Sequence, residues 1–195
     1  MQAREVERGQ WRRIGCLPVL LLTILGLFIA YKAAEYRFRL NLVPARLGVL
    51  WISSVKEHAL GLGPGGLETG VIVYSLPEAT AREIRNRGMN YFAEEQPSTT
   101  REAAVHETWH ATPIDKGPLS WEETRDLEGS SGSQTRRIAD FLNRYGFGVD
   151  LTPRLERLID EAITSPGSYY FYGQTGGGVT IVIPSARTVV FAYAG

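Results

Sequence analysis

Cysteine is nearly absent from this chain, a single residue, Cys16, among 195. That residue opens an apolar run, so everything after it lacks the thiols for a disulfide scaffold or a cysteine-ligated metal site. Excess charge of either sign is lacking too, with 21 lysines and arginines against 21 aspartates and glutamates. No net field draws the chain to nucleic acid, and no basic block interleaved with aromatics offers a phosphate track. Histidine is scarce, at three residues, and no Gly-x-Ser-x-Gly places a serine nucleophile. No internal repeat is visible. With 44% apolar and 22% charged residues, the remainder reads as one ordinary domain plus an extra segment.

The extra segment is residues 14–31, "IGCLPVLLLTILGLFIAY", which carry no charge and lie between Arg13 and Lys32. Eighteen apolar residues just reach across the roughly 30 Å of hydrocarbon in a bilayer. A soluble helix of this length would need a polar face, and this one has none. A cleaved secretory signal also begins with basic residues and an apolar run, but "YKAAEY" after the run offers a poor small-x-small site. An uncleaved signal anchor is therefore expected. Cys16 precedes the run, which argues against a lipidated cysteine, and the residues after Arg13 do not suit twin-arginine export.

Basic residues are balanced across the span: Arg4, Arg8, Arg12 and Arg13 before it, Lys32, Arg37, Arg39 and Arg46 after it. The adjacent arginine pair on the short tail favours a cytoplasmic N-terminus and an extracytoplasmic C-terminal domain at the plasma (inner) membrane. The expected organisation is a tail at 1–13, a transmembrane helix at 14–31, a juxtamembrane segment and Gly-rich linker at 32–66, and a globular domain at 67–195. Within the juxtamembrane part, Leu47, Leu50, Trp51 and Val55 recur at helical spacing, predicting a short amphipathic helix on the membrane or on the domain.

"GLGPGG", residues 61–66, has the spacing of a dinucleotide loop, but it contains Pro64 and leads into a strand instead of a helix. Residues 70–76 read as that strand. Ser75 and Glu78 have capping-box spacing for a helix whose inner face is Ala81, Ile84, Gly88 and Tyr91. A polar loop covers 115–133. Ile138, Phe141, Leu142 and Tyr145 mark a helix stopped by Gly146, and Thr152 with Pro153 starts a second one carrying Leu155, Leu158, Ile159, Ala162 and Ile163. The last 28 residues read as a three-stranded meander turning at "QTGGG". The fold class is α+β: one N-terminal transmembrane helix, then a small, mostly antiparallel sheet with helices packed on it.

One motif carries chemistry. "HETWH", residues 106–110, places His106 and His110 four apart, so on a helix both imidazoles could reach one zinc ion while Glu107 takes a proton from the bound water. The five residues resemble the core of zincin metallopeptidases. Thr99 and Glu102 have the spacing to cap such a helix. A third histidine downstream is missing; "ERLID" would supply Glu156 as third ligand, with Asp160 orienting a histidine. The same segment also alternates as a strand, where residues four apart stand about 13 Å from each other and cannot share a metal. "YYFY", residues 169–172, could stack a sugar or peptide, or pack both faces of a sheet.

No catalytic constellation is complete, so the first expectation is a membrane-anchored domain of binding or scaffolding type, without a cofactor. Its expected partners are the lipid bilayer and other envelope proteins, not nucleic acid. The alternative is a membrane-anchored zinc peptidase using His106, His110, Glu156 and Glu107.

Overall fold

The structure is a computed structural model that describes residues 3–60, 67–93, 108–114, 137–143, 146, 148–173 and 178–194. It divides into two units, residues 1–42 and 43–195.

The first unit is one helix, α1, Ala3–Leu40. Within it Pro18–Leu40, 23 residues near the N-terminus, is long and apolar enough to cross a membrane, and none of that stretch is buried against protein. Val19, Leu20, Leu21, Leu22, Ile24, Leu25, Leu27, Phe28 and Ile29 are each more than half exposed. Side chains this apolar on all sides of a helix suit lipid as the surrounding medium. Past the uncharged run the helix continues for nine residues beyond Tyr31, supported by Glu35, which pairs with Lys32 at 2.7 Å and with Arg39 at 2.9 Å.

The second unit is α+β, as its patterning predicts. A 3-10 turn at Ala45–Leu47 ends at Gly48, whose positive φ of 62° suits glycine. Then follow β1 (Ile52–Leu60), β2 (Leu67–Ser75), α2 (Glu78–Arg87), α3 (Met89–Ala93), β3 (His110–Ala111), α4 (Ile138–Leu142), α5 (Pro153–Thr164), β4 (Tyr169–Tyr172), β5 (Gly178–Ile183) and β6 (Thr188–Ala194). Six strands form one sheet in the order β1-β2-β6-β5-β4-β3, every pairing antiparallel.

Two expectations are corrected here. The predicted amphipathic helix through Leu50, Trp51 and Val55 is instead the 3-10 turn and then β1, which pairs with β2 along its whole length. Helical spacing over four apolar residues did not outweigh "ISSVKEHAL", whose backbone bonds are satisfied by an adjoining strand. Residues 61–66, read as a linker, lie outside the described residues and join two paired strands. The Ser75 to Glu78 capping box does not form either. Ser75 is still in β2, its hydroxyl 2.8 Å from that of Ser53, and the cap position belongs to Pro77, which offers no side-chain acceptor.

Alternation along the strands divides the core in two. On one face Val71, Val73, Tyr170, Val179, Ile181, Ile183, Val190 and Ala192 meet Ile138, Phe141 and Leu142 of α4 and Ile159, Ala162 and Ile163 of α5. On the other, Tyr169 and Phe171 meet an aromatic group built by Phe92 of α3 and by Trp109. α5 is stable locally as well as by packing: the Thr152 hydroxyl accepts the Leu155 N–H and Pro153 occupies the first turn, as the sequence indicates. Gly70 is required by a close approach. Its missing Cβ would stand 2.5 Å from the Tyr193 hydroxyl, which crosses the strand to donate to Glu57 at 2.8 Å.

Candidate functional site

His106 and Glu107 lie outside the described residues, as does the expected helix start at Thr99. His110 is described. It sits on β3, opposite Tyr170 of β4, with its ring exposed and stacked on the Tyr170 ring at 5.3 Å. Thr108 and Trp109, which precede it, are not helical either. The local cause is visible in the chain. Trp109 turns inward to stack on Phe92 at 4.1 Å and to meet Phe171 at 4.6 Å. Three residues later Thr112 is fastened to the α5–β4 turn: its hydroxyl donates to the Ser165 carbonyl at 2.7 Å and accepts the Ser168 N–H at 3.1 Å. The Thr112 and Ile114 N–H groups bond Ser168 and Ile163 carbonyls. Pinned at both ends, His110 and Ala111 are held extended along the edge of the sheet.

Glu156 and Asp160, one turn apart on α5, have partners of another kind. Glu156 meets Arg137 at 2.7 Å. Asp160 accepts the backbone N–H of Ile138 at 2.7 Å and stands 3.7 Å from the Arg137 side chain. These two carboxylates thus tie the start of α4 to α5, and Asp160 serves as the acceptor that α4 lacks at its own N-terminus. Burial raises the Asp160 carboxyl above its ordinary value; the Ile138 N–H and Arg137 oppose that, and Glu156 adds to it. For Glu156 to become a metal ligand, Arg137 would have to release it.

Among the described residues no three histidine, cysteine, aspartate or glutamate side chains are grouped closely enough to hold a metal ion. The structure therefore brings together Glu156, Asp160 and Arg137, and leaves His110 exposed at an edge. Arg137 escaped the sequence reading because its partners lie 19 and 23 residues away; a charged residue just before a helix start was the only cue.

Among the described residues, two buried polar atoms on the Phe171 side of the sheet have no hydrogen-bond partner, Trp109 Nε1 and Thr180 Oγ1. Thr180 lies between Phe171 and Phe191 in the ladder, and the aromatic residues of "YYFY" divide between the two faces of the sheet. Tyr170 joins the α4–α5 core, whereas Tyr169 and Phe171 join Phe92 and Trp109. No family model, curated protein or solved structure matches this chain.

Proposed function

We propose that the chain is a single-pass membrane protein in which α1 is an uncleaved anchor and residues 43–195 form an extracytoplasmic domain of binding or scaffolding type. The observation that carries this reading is the belt of large apolar side chains exposed on all sides of α1, for which lipid is a favourable surrounding and water is not. The role assigned to the domain is supported by where its charged groups are spent. Glu156 and Asp160 hold two helices together, and β2, β4, β5 and β6 pack against helices or aromatic side chains, leaving β1 mostly exposed. Its partners on this reading are the bilayer and other envelope proteins.

Orientation is tested with a reporter that fluoresces only in the cytoplasm, fused after Gly195. A dark fusion, with a periplasm-active enzyme in the same place giving signal, supports the proposed orientation; a bright one reverses it.

The zinc-peptidase reading is second. It rests on the "HETWH" sequence, while the extended backbone at His110 opposes it. Zinc content of the purified chain decides it. About one equivalent in the parent, lost in the His106→Ala, His110→Ala double variant, would replace the scaffolding role with metal chemistry.

A further inference from the structure

Leu50 and Trp51 are both 70% exposed, about twice the exposure of any other large apolar residue described in the second unit. They stand at one end of the sheet. The Ser75 N–H donates to the Trp51 carbonyl, Ser75 pairs with Thr188, and the Leu76 N–H donates to the Arg187 carbonyl. Two strand spacings, about 10 Å, thus separate the backbones of Trp51 and Arg187.

This end is also basic. Glu78 is shared by three guanidiniums, those of Arg85 at 3.1 Å, Arg187 at 3.4 Å and Arg82 at 3.9 Å, all well exposed. One carboxylate against three cations leaves positive charge beside the apolar pair. The acids of the β1–β2 hairpin, Glu57 and Glu68, pair with Gly70 and Ala59 toward its opposite end. Along β1, Glu57 is five residues, about 17 Å, beyond Ile52.

We infer that this end of the domain, Leu50 and Trp51 flanked by Arg82 and Arg187, docks on the surface of an anionic bilayer. The inference rests on the anchoring role of α1 proposed above. Ten residues separate the end of α1 at Leu40 from Leu50, so at most about 35 Å of chain connects them. Tryptophan is the residue that lipid headgroup regions favour most, and exposed arginines add attraction to anionic lipid. An apolar pair with a basic surround matches the chemistry of an anionic lipid surface.

The test uses the full chain with Cys16→Ser, reconstituted in vesicles of zwitterionic lipid with and without phosphatidylglycerol. A polarity-sensitive fluorophore is attached at Leu50→Cys or, on β1, at His58→Cys. The docked domain gives blue-shifted emission at position 50, quenched by nitroxide lipids at least about twofold more than at position 58. Trp51→Ser, or Arg82→Gln with Arg187→Gln, or omission of the anionic lipid, reduces that quenching, while circular dichroism reports an unchanged fold. Aqueous emission at both positions overturns the inference. So does a blue-shifted position 50 that nitroxide lipids do not quench, because a protein partner or a second copy then covers the pair. Alkaline carbonate separates the two readings: a chain that it releases from vesicles refutes the anchor and the docking together. A retained chain with an aqueous position 50 refutes docking alone.

Discussion

Asp160 shows what a motif-based reading of single residues can and cannot supply. Its spacing from Glu156 fits a ligand-bearing helix, yet its carboxylate accepts the Ile138 N–H, 22 residues away in the chain. Removing it by Asp160→Ala leaves a partly buried donor unsatisfied and uncaps α4, and should cost about 1–2 kcal/mol in urea unfolding. Asp160→Asn keeps an acceptor and should cost less than half of that. The pH dependence has a definite sign. Because burial raises this carboxyl in the folded chain, the folded state holds the proton more tightly than the unfolded state. Its own contribution favours folding on the acid side and is lost as pH rises from the ordinary aspartate value through the raised one. Parent minus Asp160→Asn stability should therefore fall as pH rises through that window, measured as matched urea curves from pH 4 to 7. A difference that grows with pH would show that Arg137 and the Ile138 N–H outweigh burial.

Among the elements, those with strong local signals were legible and those defined by distant partners were not. α5 shows Thr152, Pro153 and a single apolar stripe, and its start and inner face are where those residues place them. β4, β5 and β6 were equally readable, since β-branched and aromatic residues bounded by Gly and Pro have few other solutions. β1 was misread because its outer positions are mostly polar and exposed; only the pairing with β2 makes it a strand. α2 ends at Gly88, which was read as part of its inner face, because φ of 58° there breaks the helix and starts α3. β3 is a strand of two residues, too short for any period to be seen.

What holds β3 in place also yields a test at this scale. Trp109 links α3 to β4 through Phe92 and Phe171, so Trp109→Ala should destabilise the domain by about 3–5 kcal/mol. Trp109→Phe retains most of the ring contact and removes a buried Nε1 that has no acceptor among the described residues, so its cost should be under about 2 kcal/mol. Equal losses in the two variants, read from urea midpoints, would mean that the indole nitrogen has a partner in the native state.

For the whole molecule, the two units follow from two kinds of apolar residue. Those of residues 43–195 are mostly inside, on the two faces of one sheet, and those of α1 are outside. The class of the fold and the existence of an apolar segment long enough to cross a membrane were readable because each depends on patterns many residues long. The candidate site was less so. His106 and Glu107 fall outside the described residues, and the side chains that would complete a metal site are drawn elsewhere by Arg137.

The central claim is that α1 is a membrane anchor for an independently folded domain. Its most direct test is alkaline carbonate extraction of membranes from cells expressing either the full chain or residues 43–195, with circular dichroism of the shorter form. The account predicts that the full chain stays in the membrane pellet while residues 43–195 are released and keep mixed helix and strand signals. Release of the full chain, or firm retention of residues 43–195, would contradict it.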